Sequence, residues 1–178
     1  MSPAVSGGSG DLALVVAGDV VAELDRIFAA LAGIVAEPEG AVADRLFPRA
    51  YLDPTEDAAE TFWRLARRDG MVTDRLAAIE AVRADLAGAT RARRGAYSVS
   101  LGDGSRWMTV CNDARLWIGT ELGLSDEDLE VGRGDPRVPD YQRYVLLTAV
   151  LAEIVDAVLG AMPEDGIDDD DGPTGLLG

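Results

Sequence analysis

The sequence predicts a mostly α domain: a five-helix bundle with a small two-stranded β-sheet, α+β at the margin. Three observations predict it. Apolar residues recur at helical spacing over long stretches, two short apolar runs carry the flanks of strands, and Gly or Pro separates them. With 178 residues, 48% of them hydrophobic, the chain can bury one sizeable core. A single regulatory domain is expected over residues 11–161, between a disordered linker at 1–10 and a disordered acidic tail at 162–178.

The elements follow in order. Leu12 to Val16 is apolar, lies between Gly10 and Gly18, and reads as a buried strand. Asp19 occupies an N-cap position, and Val20, Leu24, Ile27, Phe28, Leu31 and Val35 then fall on one helical face. Pro38 and Gly40 end that helix, and Leu46 to Tyr51 forms an apolar turn around Pro48. Asp53 to Glu56 opens a second helix that carries Phe62, Trp63 and Leu65 inward. Gly70 breaks it, and Met71, Val72, Leu76, Ile79, Val82 and Leu86 form a third stripe. Tyr97 to Leu101 alternates as a half-buried strand, and each short strand is the other's expected partner. A fourth helix runs from about Ser105 to Leu122, with Gly123 as its cap. The fifth, Tyr141 to Ala161, is apolar almost all round and reads as a central rod or a subunit interface.

Composition leans away from catalysis. All sixteen basic residues are Arg, with no Lys and no His, so the commonest general base and metal ligand are missing. One cysteine excludes an intramolecular disulfide and a cysteine-type zinc cluster. No phosphate-binding loop, nucleophile elbow or calcium loop is present, and no cofactor is expected. A hydrolase built on two carboxylates stays open, as the least favoured reading.

The formal net charge of −16 argues against direct nucleic-acid binding, since phosphate attraction supplies most non-specific affinity. No secretory leader and no membrane span are read, so a cytoplasmic location is expected. The charge is uneven. Between Arg64 and Arg94 eight arginines face four acids, and Arg64, Arg67, Arg68, Arg91, Arg93 and Arg94 are the candidate partner-binding residues. The plain reading is a solvated face beside a solubilising tail. The sharper one is a basic strip that receives an acidic partner, with the tail competing for it.

The fourth helix is the informative one. Val110, Cys111, Ala114, Trp117, Ile118 and Leu122 gather within about 80° of Trp107 at 100° per residue, which makes that face core. Cys111 is thus expected to be an inert core thiol, although it is the sole redox candidate. Beside the core face run Met108, Asn112, Arg115 and Gly119, with Gly119 pointing to close approach of a neighbouring backbone. Asn112, Asp113 and Arg115 read first as buttresses for a loop or helix, and second as part of a ligand site.

The run from Asn112 through Asp113, Arg115, Gly119 and Thr120 to Leu124 resembles the signature helix of the actinobacterial AosR family, oxidative-stress-responsive regulators formerly grouped as a domain of unknown function. Leu46 to Tyr51 resembles that family's second recognisable segment, and the resemblance extends over about residues 11–160. It implies a regulator that works through protein contacts, an alternative sigma factor among them, in control of transcription under oxidative stress. It also implies a neighbourhood with Clp proteolysis. Sensing in that family is attributed to an intramolecular disulfide, which the single Cys111 cannot form. A redox role would need an intermolecular disulfide or a sulfenic acid. The function expected is therefore non-enzymatic regulation through protein–protein contact, with a homodimer expected. The alternative is an adaptor or structural interaction protein linked to Clp proteolysis, without redox sensing.

Overall fold

Leu14 lies opposite Val99 in an antiparallel pair, and both side chains are fully buried. That pair belongs to β2 (Asp11–Ala17) and β4 (Ala96–Leu101), the two strands expected from the sequence. The structure, a computed structural model, describes residues 3–8, 11–124 and 134–160. Its sheet has four strands rather than two. β1 (Ala4–Gly8) pairs with β2, and the two-residue β3 (Thr90–Arg91) pairs with β4, giving the antiparallel order β1-β2-β4-β3. The segment expected as part of a linker is therefore an edge strand through Gly8. Its Ser and Gly residues carry no apolar alternation, so no strand signal stands out there.

Five α-helices are present among the described residues, as expected, but divided differently. α1 (Gly18–Ala36) buries Leu24, Ile27, Phe28, Leu31 and Val35. Gly18 starts it without a side chain because a Cβ there would lie 2.8 Å from Tyr97 Cε2. Pro38 follows the end of α1, and a second helix, α2 (Gly40–Leu46), starts at once and buries Val42 and Leu46. Seven residues are too few for a helical period to stand out. α3 (Asp57–Ala87) runs unbroken through Gly70, about 46 Å in all. A mid-helix glycine costs about 1 kcal/mol, too little to interrupt a helix whose later turns bury Ile79, Val82 and Leu86.

The first half of α3 also corrects an expectation. Phe62 and Leu65 point to solvent, 75% and 80% exposed, and Trp63 alone of the three turns partly inward, lining a small cleft with Phe47 and Met71.

α4 (Gly104–Leu122) is capped by Asp103, whose side chain accepts from the backbone N–H of Ser105 and Arg106, and it ends on Gly123 at φ 67°. α4 is the central helix, packed on α1, α2, α3 and α5. α5 (Val138–Gly160) is not the rod expected. It lies on α4 and β1, buries Leu147, Val150 and Ile154, and leaves Val145 and Leu159 exposed. Among the described residues no helix is long and apolar enough to cross a membrane. The tail at 162–178 and the acidic turn at 125–130 lie outside the described residues.

Candidate functional site

The polar residues of α4 divide between two faces rather than forming one line. Asp113 is buried at the side that meets α3. Its Oδ2 accepts from Arg75 Nε at 3.0 Å, and Arg75 Nη2 donates to the Leu46 carbonyl at 2.9 Å. The same guanidinium lies 4.7 Å over the Phe47 ring. One arginine thus joins α3, the end of α2 and α4. Burial raises the Asp113 carboxyl above its usual value, against the pull of Arg75. The sequence offered one signal for Arg75: it sits inside the apolar stripe of Val72, Leu76 and Ile79, where a charge needs a partner.

A second buried carboxylate holds the turn after α2. Glu60 accepts from the backbone N–H of Ala50 and Tyr51 at 3.0 Å each and pairs with Arg64. The Arg64 hydrogen bond leads the effects that hold Glu60 below the usual carboxylate range. The apolar turn from Leu46 to Tyr51 is therefore fixed from α3, by a residue that no local pattern marks.

On the opposite side of α4, Arg115 faces α5. Its Nε donates to Thr148 Oγ1 at 3.0 Å, its Nη2 to the Tyr144 hydroxyl at 3.2 Å, and it lies 5.2 Å over the Tyr144 ring. The neighbour at Gly119 is that tyrosine ring rather than a backbone, 3.4 Å from where a Cβ would stand. Arg115, Gly119, Thr120 and Tyr144, together with Arg45 of α2, line a groove of about 340 Å³. Thr120 donates its hydroxyl to the Leu116 carbonyl. Asn112 is exposed and joins neither face.

Cys111 is fully buried beside Trp107, Ala114 and Ile118 in the core. Burial pushes its thiol up to about 12, and the opposing pull of Arg115 is the smaller effect. A thiol so raised forms little thiolate near neutral pH, and the thiolate is the reactive form.

The candidate arginines form two groups, not one strip. Arg64, Arg67 and Arg68 lie in the first half of α3, with Arg68 Nη2 3.5 Å from the Pro38 carbonyl. Arg91, Arg93 and Arg94 are exposed at the sheet edge, where Arg94 has φ 58°. About 28 Å of helix runs from Arg68 to the end of α3. Among the described residues no group of three or more metal-ligating side chains comes together.

Residues 5–158 match the family model of a domain of unknown function, DUF2017. The chain belongs to that family. The DUF2017 span takes in β1 through most of α5, so both faces of α4 and the first half of α3 fall inside it. No curated protein and no solved structure matches the chain.

Proposed function

We propose that this protein is a non-enzymatic regulator that binds another protein through the first half of α3. The exposure of Phe62 and Leu65 carries the reading. They stand three residues apart on one helix face, 75% and 80% exposed, while Leu52 in the preceding turn is 84% exposed. Large apolar side chains grouped on a surface mark an interaction site more often than isolated ones do. The partner that fits presents an apolar helix or groove with acidic flanks, because Arg64, Arg67 and Arg68 lie on the same half of α3.

The resemblance of the signature helix supplies the finer reading: a cytoplasmic, AosR-type regulator that contacts an alternative sigma factor in the response to oxidative stress. The buried Cys111 favours a receiver of that signal over its sensor. The same observation equally favours the second reading, an adaptor linked to Clp proteolysis with no redox sensing.

Site-specific photo-cross-linking in cells, with the probe at position 62 or 65, tests the proposal. Adducts with a sigma factor or a Clp component, absent with the probe at exposed Ala29, support it. Adducts only between copies of this chain would make the surface a dimer interface and overturn it, and so would a pattern identical to the Ala29 control.

A further inference from the structure

Among the described residues, the groove between α2, α4 and α5 holds two arginines without a paired carboxylate, in a chain of net charge −16. Arg26, Arg64, Arg75, Arg83 and Arg143 each pair with a carboxylate. Arg45 and Arg115, which both line the groove, have no carboxylate within 4 Å among the described residues. The partners of Arg115 are two neutral hydroxyls and an aromatic face. These fix the guanidinium without cancelling its charge, and its Nη1 makes no hydrogen bond among the described residues. A guanidinium already ordered loses little rotamer freedom when an anion arrives.

Two of the last carbonyls of α4 are already occupied. The Gly119 carbonyl accepts from Leu124 N–H at 2.9 Å, and that of Thr120 from Gly123 N–H at 3.0 Å. Leu116, Leu124 and the ring of Tyr144 form the apolar part of the wall, and the Thr120 hydroxyl, which also lines the groove, donates to the Leu116 carbonyl. Gly119 leaves the ring uncovered, so an aliphatic group can lie along it. A volume of about 340 Å³ is near the lower end for small-molecule sites, which run from about 300 to 1,000 Å³, and it sets the ligand at metabolite size.

We propose that this groove binds a small organic carboxylate with an aliphatic body, its carboxylate on Arg115 and Arg45 and its body against Tyr144, Leu116 and Leu124. The same chemistry is presented by a free acyl amino acid and by the C-terminal residue of a peptide. This site is separate from the exposed face of α3, so either reading can fail without the other.

Isothermal titration of the full chain at low ionic strength tests it, with N-acetyl-leucine, N-acetyl-leucinamide, inorganic phosphate and an acetylated tripeptide ending in leucine. N-acetyl-leucine should bind saturably, and the amide and phosphate at least about tenfold more weakly, since charge-assisted bidentate contact and apolar burial are both needed. The tripeptide binding more tightly than the single residue would identify the peptide end as the source; weaker binding would identify the free acid. Arg115→Gln should weaken N-acetyl-leucine by about tenfold or more. Arg45→Gln, at an exposed position where folding is not at stake, should weaken it several-fold. No saturable binding, equal binding of acid and amide, equal binding of phosphate, or an affinity unchanged in Arg45→Gln would each overturn the proposal.

Discussion

Arg75 Nε lies 3.0 Å from Asp113 Oδ2 and its Nη2 lies 2.9 Å from the Leu46 carbonyl, so one arginine ties α3 to the central helix and to the end of α2. Removing one member of a buried ion pair strands the other. Asp113→Ala should therefore cost about 3 kcal/mol in chemical denaturation, because Arg75 loses its counter-charge while still held against Leu46 and Phe47. Asp113→Asn, whose amide oxygen still accepts from Arg75, should cost clearly less. Equal losses in the two variants would mean that the hydrogen bond retained by Asn contributes nothing and that the carboxylate charge carries the whole effect.

Glu60 makes the turn after α2 sensitive to acid. Its carboxyl is held below the usual range in the fold, so the stabilisation is fully present above the unfolded value of about 4.3 and is lost as pH falls through the folded value. The amide resonances of Ala50 and Tyr51 should move together below pH ~4. In Glu60→Gln that transition should be gone, while amides in α5 remain unaffected by the substitution.

Two glycines should respond with opposite sign. Gly119→Ala places its methyl at ordinary contact distance from Tyr144 and gains helix propensity, so stability should rise by up to about 1 kcal/mol. Gly18→Ala forces a Cβ to 2.8 Å from Tyr97 and should lower stability by about 1–3 kcal/mol. Thermal melts of both variants check the pair.

Cys111 should resist a thiol reagent in the folded protein. With the side chain buried and its thiol raised to about 12, labelling should proceed at the rate of unfolding and become rapid only in denaturant. Rapid labelling of the native chain, or a peroxide-induced dimer abolished by Cys111→Ser, would contradict this.

Much of the fold was legible where one element's own period decides it. The core face of α4 could be read at 100° per residue: Trp107, Val110, Cys111, Ala114, Ile118 and Leu122 are buried, and Trp117 only partly. So could the stop at Gly123, whereas the N-cap of α1 falls on Ala17 rather than on Asp19. What was not legible depends on neighbours. β1 exists because β2 offers an edge, and Glu153 of α5 helps to hold it, lying 3.4 Å from Val5 N. Phe62 and Leu65 have the composition of a core stripe, yet both are largely exposed. The near-uniform apolarity of α5 likewise concealed that Leu147, Val150 and Ile154 are its buried residues. In the site, Arg115 and Gly119 were singled out by sequence, whereas Arg45, Glu60 and Tyr144 gained their roles only from residues distant along the chain.

The most direct test of the account is the double variant Phe62→Asp, Leu65→Asp, compared with the unaltered chain for stability and for binding of a purified partner recovered by cross-linking. Both side chains are largely solvated, so the account predicts a melting temperature close to that of the parent and partner affinity reduced at least about tenfold. Retained affinity in a folded double variant would contradict the assignment of this face as the contact surface.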